Sequence, residues 1–464
     1  MRLTSNRITP IVSICLVMFA CLAVLAPNCW AGVSAVRPGQ KTGTLANNTW
    51  YFAEGTTRPG FEEWITLQNP GDSSSHVTIT FMMADGYNQD KTLDVAGHSR
   101  TTLSVAAIIG PNRDASMKIT SDKPVVAERP MYFSYKGVWN GGDCAIGATA
   151  TATTWYFAEG NTRPGFDEYL CVLNPGTTQA KVHIEYMTPG SLNYFQDVTV
   201  QPRTRLTVKV ADTVPSGQDE AATLTSDQPI VAERPMYYDF NSSISGGDNV
   251  VGATAPQKDW YFAEGYTSAQ FWTYLCLQNP GDTAATARVY YLLAGGKVMY
   301  NDYPIGSKSR ITVDPRQDIG DAEFSIVVDS SQAIVAERAM YFDYKGVWAD
   351  GHDVVGASAQ GKEVYFAEGT TLAGFEEYAC IMNPNNSSAQ VTFEIEVEGA
   401  SPITAGFTVA AHSRYTVNLN QTVGPNKNIS IKATSDQTIV IERPMYFDYH
   451  GAWAGGSCVV GYMP

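Results

Sequence analysis

The stretch VVAERPMYF, at residues 125–133, recurs four times along the chain and decides its organisation. Glutamate, arginine and proline stand side by side in it, which is unusual for a strand. Near-identical stretches begin at Ile230 (IVAERPMYY), Ile334 (IVAERAMYF) and Ile439 (IVIERPMYF). A residue order this specific, kept in four copies, indicates internal duplication.

A second motif fixes the length of the repeated unit. WYFAEG begins at residues 50, 155 and 260 and VYFAEG at residue 364, so that successive copies are 105, 105 and 104 residues apart. A unit of this length is a domain and is larger than the repeats of solenoids or propellers. The spacing predicts four tandem domains at residues 50–149, 150–254, 255–359 and 360–464. The short links between them lead us to expect an extended rod or a curved string.

Alternation within the first unit predicts strands. In HVTITFMM (residues 76–83), Val77, Ile79 and Phe81 point to one face and the threonines between them to the other. We interpret ASMKITSD and PVVAERPMYFSY as two successive strands. About seven short strands per unit predict an all-β protein made of four tandem immunoglobulin-like antiparallel β-sandwich domains. An eight-bladed propeller, with two blades per unit, is the alternative.

The amino terminus is typical of an exported protein. Arg2 and Arg7 precede an apolar run at residues 11–26, followed by small residues suited to cleavage. We predict a signal peptide at 1–35 and a flexible lead-in at 36–49, with an uncleaved membrane anchor as the alternative. The expected location is extracellular or at the cell surface. A net charge of −15 argues against nucleic acid and anionic membranes as partners.

The cysteines do not form the pattern of a disulfide scaffold. Five follow the signal segment, and an odd number cannot all pair within the chain. Three of them fall at the same place in successive units, where we expect small buried side chains. The five are Cys144, Cys171, Cys276, Cys380 and Cys458.

The repeated arginine predicts a buried charge pair. Alternation places Arg129 on the face that carries Val125 and Ala127, and a buried guanidinium needs an acidic partner. Either the glutamate of YFAEG or the glutamate beside the arginine is expected to supply it. The predicted structural residues are Glu54 and Arg129, Glu159 and Arg234, Glu264 and Arg338, and Glu368 and Arg443.

The repeated proline predicts an edge strand, because proline has no N–H to donate to a neighbouring strand. It is Pro130, Pro235 and Pro444 in three units, whereas the third unit has Ala339. The substitution in one unit shows that the proline is not required.

Two acidic patterns invite a catalytic or metal-binding interpretation. Glu62 and Glu63 are adjacent and therefore point to opposite faces of a strand, so we expect an exposed acidic edge and no glycosidase pair. Asp143 and Asp248 stand in GGD and Asp353 in GHD, while the fourth unit has Ser457 at this place. We interpret these aspartates as turn residues and not as calcium ligands. We predict no enzyme activity, no metal and no cofactor.

Aromatic residues after the motif offer a possible ligand site. Tyrosine and tryptophan faces beside glycines stack on sugar rings at many recognition surfaces. Core packing, or packing at the junctions between units, is the competing interpretation. The candidates are Tyr135, Trp139, Tyr344, Trp348, Tyr449 and Trp453, while the second unit has Ile244 in place of the tryptophan.

The combination of WYFAEG, GFEEW, NPGD and AERPMYF resembles a family of bacterial exported repeat proteins, over residues 50–464. The resemblance implies β-sandwich modules of secreted or cell-surface proteins. We therefore expect a stalk, adhesin or envelope component, with cell-wall or host glycans or another surface protein as partners. The alternative is a multivalent carbohydrate-binding protein in which four weak sites gain avidity.

Overall fold

The computed structural model describes residues 47–464. The predicted signal peptide and residues 36–46 of the predicted lead-in lie outside the described residues. The last three residues assigned to the lead-in, 47–49, already belong to the first strand, which begins at Asn47. That boundary of the prediction was therefore wrong by three residues.

The first repeat contains seven strands and one short helix. They are β1 (Asn47–Phe52), β2 (Phe61–Asn69), β3 (Ser75–Met83), β4 (Asn88–Val95), β5 (Ser99–Ser104), α1 (Val105–Ile109), β6 (Ala115–Tyr135) and β7 (Trp139–Ile146).

The second repeat follows the same order, with a 3-10 turn at Val210–Asp212 in place of the helix. Its strands are β8 (Ala152–Phe157), β9 (Phe166–Asn174), β10 (Ala180–Met187), β11 (Asn193–Val200), β12 (Thr204–Lys209), β13 (Ala221–Phe240) and β14 (Ile244–Val251).

The third repeat adds a two-residue strand and a 3-10 turn at Ala294–Gly296. Its elements are β15 (Gln257–Phe262), β16 (Tyr266–Thr267), β17 (Phe271–Asn279), β18 (Ala285–Leu293), β19 (Val298–Ile305), β20 (Ser309–Val313), α2 (Pro315–Ile319), β21 (Ala322–Tyr344) and β22 (Trp348–Val355).

The fourth repeat returns to the pattern of the first. Its elements are β23 (Gly361–Phe366), β24 (Phe375–Asn383), β25 (Ala389–Val397), β26 (Ile403–Val409), β27 (Ser413–Asn418), α3 (Leu419–Val423), β28 (Ile429–Tyr449) and β29 (Trp453–Val460). Among residues 47–464, no helix has the length and apolar character that crossing a membrane requires.

One long strand organises each repeat. The first half of β6 pairs with β1 and β3, and its second half pairs with β2 and β7, always antiparallel. The remaining strands, β4 and β5, extend the two groups at their outer edges. The predicted all-β class, with four repeated β-sandwich-like domains, is confirmed. The two strands predicted at ASMKITSD and PVVAERPMYFSY are a single strand, because the polar residues between them stay extended where the chain passes from one group of strands to the other.

The two sequence motifs meet in the core of each repeat. The indole N–H of Trp50 donates to the carbonyl oxygen of Val125 over 2.8 Å, which joins WYFAEG to the start of VVAERPMYF. Trp155 and Trp260 make the same bond to Ile230 and Ile334. Because a buried indole N–H needs an acceptor, this bond fixes β1 against β6.

The repeated proline was predicted to lie on an edge strand, but it lies on a central one. Pro130 is opposite Cys144 of β7 on one side and faces β2 on the other. The pairing of β2 with β6 skips its position, whereas in the third repeat Ala339 pairs with Tyr274 without interruption. The missing N–H therefore leaves a local gap in a central strand and does not mark a sheet edge.

The four repeats close into a ring. Strand β7 contacts β14 and β29, and β22 contacts the same two strands, so that these four strands surround a common axis. The fourth repeat lies directly against the first, where the rings of Trp50 and Tyr462 meet edge to face with centroids 4.9 Å apart. The expectation of an extended rod or string is therefore wrong, because the fourth repeat contacts both the third and the first.

Candidate functional site: the junctions between repeats

Each repeated arginine is buried and paired with a glutamate of the following repeat. Arg129 places a guanidinium nitrogen 2.8 Å from the carboxylate of Glu233, and its side chain is fully buried. The glutamate is the one beside the arginine in the next copy of the motif. The other three pairs are Arg234 with Glu337 (2.7 Å), Arg338 with Glu442 (2.7 Å) and Arg443 with Glu128 (2.8 Å). The last pair connects the fourth repeat to the first, so the same contact closes the ring.

The same glutamate also accepts hydrogen bonds from the WYFAEG backbone of the preceding repeat. The N–H of Ala53 donates to Glu233 over 2.7 Å, and Arg129 donates to the carbonyl oxygen of Glu54 over 2.6 Å. A buried ion pair is favourable only when its remaining donors and acceptors are also satisfied. The junction provides part of this satisfaction, because one guanidinium nitrogen of Arg129 donates to both groups. The Nε and Nη2 atoms of Arg129 have no hydrogen-bond partner among the described residues, and Nη2 lies 3.6 Å from a carboxylate oxygen of Asp143.

The glutamate of YFAEG pairs with a second arginine that the sequence analysis missed. Glu54 lies 2.7 Å from Arg205 of the second repeat, while towards Arg129 it presents its backbone oxygen. The corresponding pairs are Glu159 with Arg310 (3.0 Å), Glu264 with Arg414 (3.7 Å) and Glu368 with Arg100 (2.9 Å). The signal for this arginine was present in the sequence, because residues 100, 205, 310 and 414 have the same spacing as the motifs.

The equivalent cysteines take part in these junctions as hydrogen-bond donors. The thiol of Cys171 lies 2.6 Å from a carboxylate oxygen of Glu54, and Cys276 makes the same contact with Glu159. Burial raises the pKa of the Cys171 and Cys276 thiols, which keeps the proton that this bond needs. In the first repeat the hydroxyl of Thr66 replaces the thiol and donates to Glu368 over 2.6 Å. All five cysteines after the predicted signal peptide are free and buried.

The aspartates interpreted as turn residues are instead buried on strands near the ring axis. Asp143 lies 3.6 Å from Arg129, and Asp353 accepts a hydrogen bond from Arg234 of the neighbouring repeat. Burial raises the pKa of Asp143 to about 7, with Arg129 opposing the rise. Glycine residues before each aspartate had suggested a turn, but here they allow close packing of β7, β14 and β22. Within residues 47–464, no group of three or more potential ligands has the arrangement of a metal site.

The second acid of GFEEW is also buried, contrary to the predicted exposed acidic edge. Glu63 is 1% exposed and neither of its carboxylate oxygens has a hydrogen-bond partner among the described residues, whereas the side chain of its neighbour Glu62 is 42% exposed. Burial raises the pKa of Glu63 to about 8, with Arg129 opposing the rise. The two acids do point to opposite faces, but one of those faces is the protein interior.

This buried acid predicts a pH-dependent stability. The folded pKa of Glu63 is about 8 and the unfolded value is about 4.3. The folded state therefore holds an extra proton between these values, and its stabilising effect is complete below about pH 4.3 and is lost as the pH rises towards 8. Glu63→Thr introduces the residue that the third repeat has at Thr273 and removes this titration. As the pH rises across that window, we expect its free energy of unfolding to increase relative to that of wild type by up to about 1.4 kcal/mol per pH unit. Denaturant unfolding at several pH values measures this, with Glu62→Gln as the exposed control. Parallel curves for Glu63→Thr and wild type would contradict the prediction.

The predicted ligand-binding tyrosines stack across the junctions. The ring of Tyr135 lies parallel to that of Tyr237 in the next repeat, with centroids 3.9 Å apart. Tyr344 stacks on Tyr446 at 4.0 Å, and Tyr449 stacks on Tyr132 of the first repeat at 3.7 Å. These tyrosines therefore pack at the junctions between neighbouring repeats, which was the competing interpretation to ligand binding.

The predicted tryptophans lie beside the same tyrosines and remain partly exposed. Trp139 stacks on Tyr135, Trp348 on Tyr344 and Trp453 on Tyr449, with ring centroids 5.7, 5.8 and 6.0 Å apart. In the second repeat Ile244 is buried at this place. The three tryptophans are half-buried beside the junctions.

The junction between the fourth and first repeats, here called the seam, contains a cavity of ≈ 470 Å³. Its walls include four aromatic rings and one aliphatic side chain, with polar groups at Asn428, Asp448 and His450. The apolar lining residues include Trp64, Tyr132, Phe375, Tyr449 and Leu372.

The seam differs from two other junctions at defined positions. Arg58 pairs with Asp114 in the first repeat, and Arg163 with Asp219 in the second. The fourth repeat has Leu372 and Asn428 at these places, so no ion pair forms there. The first repeat also has Trp64 at the place where the second repeat has Tyr169. The hydroxyl of Tyr169 lies 2.9 Å from the hydroxyl of Tyr135 in the preceding repeat, and a tryptophan cannot make this contact.

Comparison with known proteins shows distant likenesses only. No family model matches the chain, and no curated protein matches it. Among solved structures, a Thermotoga maritima protein described as 1070 is 20% identical, over 22% of this chain and 94% of its own, with a TM-score of 0.21. The Anabaena sensory rhodopsin transducer is 29% identical, over 18% of this chain and 95% of its own, with a TM-score of 0.17. The major pilin of Streptococcus pyogenes is 10% identical, over 63% and 97%, with a TM-score of 0.13.

Proposed function

We propose that this protein is a non-enzymatic, secreted or cell-surface component that acts as an adhesin or envelope protein in the form of a closed four-repeat ring. The observation that carries this is the use of the repeated charged residues. Arg129, Glu54 and their equivalents are consumed in buried contacts between repeats, where they hold the structure together. The motif thus supports assembly in preference to catalysis. Of the roles expected from the sequence, a stalk loses its support, because a ring has no extended axis along the chain.

Surface exposure on the producing cell tests the location. We expect the mature chain in the culture medium, or digestible by protease added to intact cells, with a cytoplasmic enzyme as the protected control. A chain that stays protected until the cells are lysed would contradict an extracellular role.

A second candidate function is carbohydrate binding at the seam. Sugar rings bind by stacking on aromatic faces while their hydroxyl groups bond to nearby polar side chains. The cavity offers Trp64 and Phe375 for stacking, and the carboxylate of Asp448, which has no hydrogen-bond partner among the described residues, as an acceptor. The multivalent version of this idea loses its tyrosine faces, because Tyr135, Tyr344 and Tyr449 each stack on a tyrosine of the neighbouring repeat.

A paired substitution tests the seam. Leu372→Arg with Asn428→Asp introduces the ion pair that the first repeat forms between Arg58 and Asp114, and is expected to fill the mouth of the cavity. We expect retention on a glycan array or isolated cell wall to fall at least tenfold, with an unchanged melting temperature, because about 1.4 kcal/mol of lost contact energy is a factor of ten. Arg58→Leu with Asp114→Asn, at the first junction, is the matched control and should leave retention unchanged. Equal retention by the seam variant and wild type would contradict carbohydrate binding at this site.

A further inference from the structure

The ring axis is lined by glycine pairs in the first, second and fourth repeats and by an aspartate in the third. Strands β7, β14 and β29 carry Gly-Gly at residues 141–142, 246–247 and 455–456. Strand β22 has Asp350 and Gly351 instead. Asp350 is completely buried. A buried carboxylate on the axis needs hydrogen-bond donors from its surroundings.

Donors from all three other repeats converge on this carboxylate. One oxygen of Asp350 accepts from the N–H of Gly247 over 3.1 Å, and the other accepts from the N–H of Gly456 over 3.1 Å and of Gly142 over 3.4 Å. Burial raises the pKa of the Asp350 carboxyl, and the hydrogen bonds from Gly351, Gly456, Tyr238 and Gly247 oppose that rise. Backbone N–H groups can only donate, so both oxygens serve as acceptors, which suits an ionised carboxylate.

The second repeat departs from the pattern at the residue that contacts Asp350. Three repeats have phenylalanine in this part of the motif, at Phe133, Phe342 and Phe447, and the second has Tyr238. The hydroxyl of Tyr238 lies 3.1 Å from Asp350. Two deviations from the fourfold pattern, in different repeats, therefore meet in one hydrogen bond.

The surrounding glycines leave space for one carboxylate only. A Cβ atom added at Gly246 would lie 1.6 Å from an oxygen of Asp350, and one added at Gly455 would lie 2.5 Å from the other oxygen. At Gly141 the corresponding distance is 2.8 Å. The absence of side chains at these three positions forms a cradle shaped to the carboxylate of the third repeat.

We propose that the ring axis is an anion-binding site built from backbone N–H groups of different repeats, and that Asp350 is its permanent internal ligand. The ligand class is a small monovalent carboxylate. Convergent backbone N–H groups form anion sites in many folds. Because each repeat contributes to the cradle, filling it joins all four repeats at one point, in addition to the four junctions between neighbours.

Chemical rescue tests the proposal in the full mature chain. Asp350→Gly gives the third repeat the residue of the other three and empties the cradle. We expect its melting temperature to fall by several degrees and to recover in a saturable way as sodium formate is added, with sodium chloride at equal ionic strength as the control. Wild type should not respond to formate beyond the effect of chloride. An unchanged melting temperature for Asp350→Gly, or equal responses of variant and wild type to formate, would overturn the proposal.

Three further variants extend the test, and the first of them does not depend on whether Asp350→Gly folds. Asp350→Asn keeps the shape and removes the charge, so we expect a lower melting temperature than wild type, and equality would overturn the proposed anion. Gly246→Ala is expected to be strongly destabilised by its clash with Asp350 and to be partly rescued when combined with Asp350→Gly. If Asp350→Gly makes Gly246→Ala worse, the steric part of the proposal is wrong. Tyr238→Phe, the residue of the other repeats, should cause a smaller loss than Asp350→Asn.

Discussion

A chain that ends after residue 359 is expected to lose the single cooperative unfolding transition of the full protein. Removing the fourth repeat leaves Arg338 and Glu264 of the third repeat without their partners. It also leaves Glu128 and Arg100 of the first repeat without theirs. It also uncovers the aromatic ring of Tyr132, which in the full chain stacks on Tyr449. Large exposed apolar faces next to unpaired charges favour self-association. We expect a loss of stability at least as large as the about 3–5 kcal/mol of one broken buried pair, together with concentration-dependent association.

A circular permutant provides the matched control for the truncation. It begins at residue 150, runs to 464 and continues through a short linker into residues 47–149, so it keeps every repeat and moves only the chain ends. Trp50 and Tyr462 are in contact at the seam, so a short linker can join the fourth repeat to the first. We expect nearly native denaturant unfolding for the permutant. If the truncated chain unfolds like wild type, or the permutant fails to fold, the closed ring is contradicted.

Removing one buried arginine at the seam is expected to destabilise the whole ring. Arg443 is 1% exposed and lies 2.8 Å from Glu128, which also accepts from the N–H of Ala367 over 3.0 Å. Arg443→Met leaves the carboxylate of Glu128 buried with no positive partner at that distance. Broken buried pairs of this kind cost about 3–5 kcal/mol of unfolding free energy. Denaturant unfolding monitored by tryptophan fluorescence measures the loss.

Two controls separate the charge effect from packing. The double variant Arg443→Met with Glu128→Met replaces both charges by apolar groups and is expected to recover most of the lost stability. Arg288→Met removes an exposed ion pair with Asp302 and should change the stability by about 1 kcal/mol or less. If Arg443→Met has the same denaturant midpoint as wild type, the seam pair does not hold the ring closed.

The sequence was sufficient to predict the repeats and their all-β character, because both depend on local patterns. The constant spacing of WYFAEG identified four units, and the alternation in residues 76–83 identified strands. The burial of Arg129 also followed from its position among apolar residues of one face. Each of these inferences used neighbours along the chain, where spacing and strand geometry are fixed.

The partners across the junctions did not follow from such patterns. The glutamate beside the arginine pairs with the preceding repeat, and nothing within one copy of the motif shows this. Glu63 was expected at an exposed edge and Asp143 in a turn, but both side chains are buried. Pro130 was assigned to an edge strand because proline cannot donate, although the long strand accepts a local gap instead.

Small-angle X-ray scattering from the monomeric protein tests the ring most directly. A compact body of this size has a radius of gyration of about 22 Å, and we predict a value close to it. Four domains of about 105 residues in a row would give roughly 40 Å, estimated from the same scaling for each domain. A radius near that larger value would show that the fourth repeat does not return to the first, and would contradict the closed ring.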